Sequence, residues 1–483
     1  MSVQLVIVCL YIALLFGISF YVKRRADRGS TEYLFAGRKL GYALIAVNIT
    51  GLAVGAASTV GVAENAFHVG LAAGWYNAAW AIGALVMGLT AAGKYRALNC
   101  STIPELFERY YDTRGRVVSV FGLIIIQLVI TSLQYLAGGA ILASLLPDIF
   151  TLQGGMIMSA VVFIGITLIG GLWSSGLSNM ISVVLIYLGI LYSTVASLGN
   201  LGGLQALVNQ LPPASFDWMG ALGGLGLATV VGWIVVMVTQ AITAQGPVQI
   251  ACGAKDARTA RKGFLLGAAL IFPIGFLCAL LGLIAKVTYP EIAPTMALPK
   301  IVMSLDPVAS GVTLAALWAA DVSTACTILL GAGTLFAQDI YKRFVNSGIS
   351  ETKYVRVNRL TIFALGVGTL YLAFNAVGIL KTMLAGLSLT TAFTVVFLAT
   401  VFAPGLCRKS SAFYTTLAGL AGLVLWEFVP ALHVLQHPIY FEWLLCVGAF
   451  LLTTVLDNTP IKAPQGIKKE EEAFHGSVKV YQP

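Results

Sequence analysis

Apolar runs of bilayer length recur from one end of this chain to the other, and no other feature restricts its fold as strongly. The first, Val3 to Val22, contains no charged residue. Backbone N–H and C=O groups inside hydrocarbon have no water to bond, so a run of about 20 such residues is satisfied only as a helix. Thirteen spans fit the pattern, at about 3–22, 40–67, 72–93, 117–147, 152–172, 178–199, 218–245, 263–286, 308–338, 357–378, 380–403, 411–430 and 439–457. Only 10% of the 483 residues are charged, against about a quarter in soluble proteins. The expected fold class is therefore an all-α polytopic membrane protein, with one membrane domain over residues 1–457 and a short polar tail at 458–483. Val3–Val22 has neither a basic stretch before it nor a small-residue cleavage site after it, which marks a retained span and not a signal peptide.

The charges orient these spans. With the amino terminus outside, the inner loops hold Lys23 to Lys39, Lys94 to Arg116, Lys255 to Lys262, Lys342 to Arg359 and Arg408-Lys409, and the tail holds Lys462 to Lys479. Of the 29 basic residues all but Lys286, Lys300 and Lys381 then face the cytoplasm, as the positive-inside rule requires. The expected location is the cell (inner) membrane, with the carboxyl terminus cytoplasmic. The net charge of +9 is thus topogenic, and a nucleic-acid partner is excluded. Seven scattered cysteines without a CxxC pair and four histidines without zinc spacing give no metal cluster. No nucleophile–base pair or phosphate loop appears either, which argues against an enzyme.

Two spans are irregular. The second places Asn48-Ile-Thr-Gly-Leu-Ala-Val-Gly55 at its middle, where continuous apolar packing is the norm. The seventh contains Gly220, Gly223, Gly224, Gly226 and Gly232, followed by Thr239-Gln240. Interrupted helices at matching places in two halves point to an alternating-access transporter. The seventh span follows the second by five, so two inverted repeats of five helices are expected, at about 40–199 and 218–403. The ninth span carries Ala320-Asp321-Val322-Ser323-Thr324. At about 100° per residue, Ala320, Thr324 and Thr327 share a stripe with Ser323 at its edge, gathering neutral oxygens at one depth. Such oxygens suit a small cation, and equally suit bonding back to their own helix.

Four blocks, in order, then resemble the solute:sodium symporter family: Ser30-Thr-Glu-Tyr-Leu-Phe-Ala-Gly-Arg-Lys-Leu-Gly41; Gly61, Phe67 and Gly70; Gln249 to Ala254-Lys255 and on to Lys262-Gly263; and Ser323-Thr324 with Asp339-Ile-Tyr-Lys342. The resemblance implies a LeuT-type fold of ten core helices, with one helix before and two after. It also implies a sodium ion held by the carbonyls of Gly51, Val54 and Ala320 and the hydroxyls of Ser323 and Thr324. Some members hold a further sodium with an Asp after a Gly-Gly-Leu turn. Here Gly170-Gly171-Leu172 is followed by Asn179, and Cys326 replaces a usual hydroxyl beside Thr327, so one sodium per cycle is expected.

Positions where sugar-carrying members have polar side chains hold Asn77, Met237, Gln240, Ile271 and Met383, and three of these five are apolar. An amino acid or short carboxylate therefore suits the pocket better than a sugar, with Ser58 and Thr390-Thr391 as hydrogen-bonding groups. Asp321 has four readings: charge beside the sodium, a titrating group, a seat for a cationic substrate group, or a structural carboxylate bonded to neighbours. Glu64 and His68 stand at i,i+4 near the outer end of the second span, spaced either to pair with each other or to act as a gate. The expected function is sodium-coupled import of a small organic solute by alternating access, by a monomer or weak oligomer in the lipid bilayer. The alternative is a proton-coupled carrier using Asp321. A transporter-like sensor is less favoured, since the chain ends at Pro483 without a signalling domain.

Overall fold

The structure, a computed structural model, describes residues 3–55, 57–98, 101–219, 225–375, 386–429, 432, 435 and 437–461. Gly220, Gly223, Gly224, Met383 and residues 462–483 of the tail lie outside the described residues. Those described form helices joined by short turns. Among them there is no strand, only isolated bridges from Leu40 to Ala254 and from Arg408 to Pro460.

In chain order the membrane helices are α1 (Val3–Ala26), α2 (Tyr42–Ala53), α3 (Val62–Val69), α4 (Trp75–Thr90), α5 (Thr113–Leu145), α6 (Leu152–Leu201), α7 (Leu227–Thr243), α8 (Gln245–Cys252), α9 (Ala257–Thr288), α10 (Pro307–Thr334), α11 (Glu351–Phe374), α12 (Thr390–Phe402), α13 (Ser411–Phe428) and α14 (Pro438–Leu456). Among the described residues eight helices are long and apolar enough to cross a membrane, or nine if the bent pair α7–α8 is one span. Their starts are written locally. Asp112, Thr151, Asp256 and Asp306 each accept a hydrogen bond from a backbone N–H of the first turn they precede, at 2.7 to 3.1 Å, supplying acceptors to groups the helix leaves unbonded.

α6 is 50 residues long, but its backbone reverses at Gly171 (φ 54°, ψ −142°). Its neighbours on α10 show the two legs. Ser159 accepts from the Trp318 indole and the Phe163 carbonyl from the Cys326 thiol, after which Ser175 meets Thr327 and Gly189 lies against Thr313. The chain thus runs along α10 in one direction and back in the other, which matches the separate spans expected at 152–172 and 178–199. Only glycine fits the corner, because a Cβ at Gly171 would overlap the Tyr33 carbonyl.

α9 is a spine for the first broken helix. Ile45, Ile49 and Ala63 pack on Gly263, Gly267 and Gly282 in rising order, while α4 returns with Gly74 on Phe276, Asn77 on Gly275 and Gly88 on Phe264. Glycine at these crossings lets backbones approach closely, the usual means of helix association where no hydrophobic force separates protein from lipid.

Both irregular spans are broken. α2 stops at Val54 (φ −95°, ψ 72°), and the chain resumes through a wide turn at Ala57–Gly61 into α3. Of the glycines expected to interrupt the seventh span, Gly220, Gly223 and Gly224 lie outside the described residues, and Gly226 (φ 74°) precedes α7. α7 continues from Leu227 through Gly232 to Thr243, and the chain bends by 47° at Ala244, whose φ −69° and ψ 143° are extended. The cause is Pro247: in an unbroken helix its ring would collide with the carbonyl of Thr243, whereas a proline is tolerated in the first turn of a new helix.

Candidate functional site

The break in α2 lies directly against α10. The Ser323 hydroxyl approaches the carbonyls of Gly51 at 3.1 Å and Ala320 at 2.8 Å. The Thr324 hydroxyl approaches Gly51 at 2.7 Å and Leu52 at 3.4 Å. All five residues are at least 95% buried or contribute only backbone to a buried segment. Two hydroxyls thus converge on three backbone carbonyls in a buried seam between the end of α2 and the middle of α10. A small hard cation is what completes such a set, since oxygen is the ligand such ions prefer.

Of the residues expected to hold the ion, the structure brings Gly51, Ala320, Ser323 and Thr324 together. Val54 ends α2 beside them with its N–H bonded to Thr50, and among the described residues no hydrogen bond joins its carbonyl to α10. Leu52 is a neighbour that the sequence did not reveal, because a backbone acceptor has no side-chain signature. Gly51 is hemmed in from the other side: a Cβ there would sit 2.5 Å from the Asn179 amide. Asn179 reaches Asn48 at 3.4 Å, and Thr327 bonds Ser175 at 2.9 Å and the Ser323 carbonyl at 3.0 Å. Asn179 and Thr327 thus bond to neighbouring amide and hydroxyl groups.

A small cavity of about 10 Å³ lies where the breaks in α2 and α7–α8 face each other, with Leu52, Trp80, Gln127, Gln240, Pro247 and Ile328 among its walls. That is room for about one water. Gln240 is the one expected solute-binding residue in this wall, and its side-chain oxygen has no hydrogen-bond partner. Trp80 and Gln127 enter from α4 and α5, which the sequence had not singled out.

The other expected solute residues sit elsewhere. Ser58 donates to the Ala53 carbonyl across the break. Asn77, with its amide turned to match both ends, donates to the Ser58 carbonyl and accepts from Gly275 N–H, each at 3.2 Å. Met237 is buried where the backbone of α7 presses on Gly83. Thr391 is buried on α12 with an unpartnered hydroxyl, beside a ladder in which Thr243, Thr390 and Thr394 tie α12 to α7 at 2.7 to 3.2 Å. Asp321 is completely buried, and among the described residues neither carboxylate oxygen has a hydrogen-bond partner. The structural reading in which neighbours bond this carboxylate therefore fails. Glu64 and His68 form no ion pair among the described residues; His68 is exposed, while one Glu64 oxygen is buried without a partner.

At the end of the molecule bearing Lys23 to Arg25, a cluster of charges closes over α10. Arg116 pairs with Asp339 at 2.6 Å and Glu108 at 2.5 Å, and Arg343 pairs with Glu108 at 2.9 Å. Burial would raise the Glu108 carboxyl, but hydrogen bonds from Arg343 and Arg116 outweigh it and hold the group at about 2.

A model of the sodium:solute symporter family matches residues 33–419. The sodium/glucose cotransporter of Vibrio parahaemolyticus is 25% identical over 395 residues, covering 74% of this chain and 72% of that protein. The high-affinity proline transporter PutP of Bacillus subtilis (strain 168) is 24% identical over 389 residues, covering 74% and 78%. The sodium/pantothenate symporter of Haemophilus influenzae is 25% identical over 346 residues, covering 69% and 71%. Among solved structures, that of a Na+-coupled sialic acid symporter superposes with a TM-score of 0.82 at 16% identity, covering 95% of this chain and 98% of that one. A nucleobase-cation-symport-1 family transporter gives 0.59 at 13% identity, covering 90% and 98%. The fold is the LeuT type.

Proposed function

Because the chain belongs to the sodium:solute symporter family, we propose that it imports a small organic solute together with one sodium ion by alternating access. The observation that carries this reading is the buried convergence of the Ser323 and Thr324 hydroxyls on the Gly51, Leu52 and Ala320 carbonyls between α2 and α10. The proposed ion ligands are the carbonyls of Gly51, Val54 and Ala320 and the hydroxyls of Ser323 and Thr324. Because α2 and α10 contribute separate halves of the shell, ion binding draws them together and favours one arrangement of the two repeats. The solute site is the seam between the broken helices, where Gln240 offers an unmatched acceptor. An amino acid or short carboxylate suits it better than a sugar, whose many hydroxyls would go unpaired.

The amino terminus is taken as external and the basic end as cytoplasmic, from the distribution of Lys and Arg. Sodium entering through 100 mV then supplies about 2.3 kcal/mol, and a tenfold sodium gradient adds about 1.4 kcal/mol. Together they concentrate a neutral solute several hundredfold. One ion is favoured because Asn179, a neutral amide, lies where a carboxylate would hold a second.

Uptake into proteoliposomes tests the proposal. Replacing external sodium by choline should abolish accumulation, and proton drive alone should not restore it. Ser323→Ala and Thr324→Ala should each raise the half-saturating sodium concentration by about tenfold or more, the loss of one ligand being worth upwards of 1.4 kcal/mol. Unchanged sodium dependence in both variants would remove the assigned site.

A further inference from the structure

We infer that Asp321 receives the protonated amine of the transported solute, so that the solute is an amine-bearing compound of the amino-acid type and not a simple carboxylate or a sugar. This rests on the symport reading above and narrows it.

The carboxylate is completely buried, and among the described residues both its oxygens lack a hydrogen-bond partner and no ion pair includes it. A buried charge in that condition is costly until an opposite charge meets it. The adjacent hydroxyls are already committed, Ser323 to Gly51 and Ala320 and Thr324 to Gly51 and Leu52. Asp321 therefore stands outside the oxygen shell proposed for sodium, although it follows Ala320 directly.

Its direction comes from helical geometry. Asp321 lies about 60° from Thr324 and about 20° from Ile328 around α10. Thr324 touches Gly55 at the break in α2, and Ile328 walls the central cavity with Gln240 and Trp80. Asp321 thus shares one side of α10 with Thr324 at the break in α2 and, two turns further on, with Ile328 in the cavity wall.

The other polar groups of that seam have the matching character. Gln240 presents an unmatched acceptor, and among the described residues no Lys, Arg or His lines the cavity. A solute carrying only a carboxylate would meet a negative charge and no cation of the protein. An ammonium group would meet a carboxylate at Asp321 and, further along the seam, the amide oxygen of Gln240. At about 10 Å³ the cavity is closed in this arrangement, so the solute enters only when α2 and α10 part from the scaffold.

Thermal stabilisation of the purified full-length protein, measured in sodium and in choline, tests this. The probes are the twenty common amino acids and ethanolamine, which carry an amine, and propionate, pantothenate and D-glucose, which carry none that is protonated. At least one amine-bearing probe should stabilise wild type in sodium alone, with none of the amine-free probes doing so. Asp321→Asn, close in size, should weaken that probe by roughly 30-fold or more, as expected when one member of a buried charged pair is lost. Sodium by itself should still stabilise this variant, which also shows that it folds. Stabilisation by an amine-free probe, silence of every amine-bearing probe, or an affinity within about 3-fold in Asp321→Asn would each overturn the assignment. The sodium-only melt of wild type separates the two claims: its failure strikes the symport reading, whereas its persistence with a failed probe pattern strikes Asp321 alone.

Discussion

Gly51 shows how tightly single residues are fixed at the break. Its carbonyl receives both hydroxyls of α10, while its Cα faces the Asn179 amide so closely that a Cβ would lie 2.5 Å away. Gly51→Ala must push either α2 or Asn179 aside, and any shift of α2 moves the carbonyl. The expected outcome is a folded protein whose half-saturating sodium concentration rises by about tenfold or more, read from sodium titrations of uptake. Ser323 and Thr324 were legible in the sequence because helical periodicity places hydroxyls on a stripe. The role of Leu52 was not, since only a superposition of two helices reveals which backbone carbonyl they share.

At the scale of elements, the corners carry the most information. Gly171 reverses α6 at φ 54°, beside the Tyr33 carbonyl. Gly171→Ala combines an unfavourable left-handed conformation with a steric overlap, and should destabilise by at least 1–2 kcal/mol. Thermal melts in sodium would show a lowered midpoint, whereas an unchanged midpoint would mean that the corner relaxes freely. The break in the seventh span illustrates the opposite case. Among the described glycines of that span α7 runs through Gly232, and the chain bends at Ala244. Gly246-Pro247 was the signal, because a proline dictates where a helix must restart and a glycine only permits it.

Across the whole molecule, the cluster of Arg116, Glu108, Asp339 and Arg343 joins segments more than 200 residues apart. Glu108 is held at about 2, below the usual value of about 4.3 for an unfolded chain. A depressed carboxyl stabilises the fold fully above its unfolded value, and that contribution is lost as pH falls toward the folded one. Glu108→Gln should therefore lower the melting point at pH 7, and the gap to wild type should shrink below about pH 4. A gap constant down to pH 3 would mean that Glu108 acts by packing and not by charge. The sequence by itself determined that this chain lies in a bilayer as helices, that two of them are interrupted, and that Ser323-Thr324 face an interrupted one. The first two follow from apolar length and from polar and glycine interruptions, which are local, and the third was implied by the resemblance to the symporter family. Only the tertiary structure decided that the Gly51 and Leu52 carbonyls meet those hydroxyls, that Asp321 has no partner among the described residues, and that the chain bends at Ala244. Each depends on which distant backbone comes to lie opposite, and in a membrane that is settled by close packing across the whole bundle.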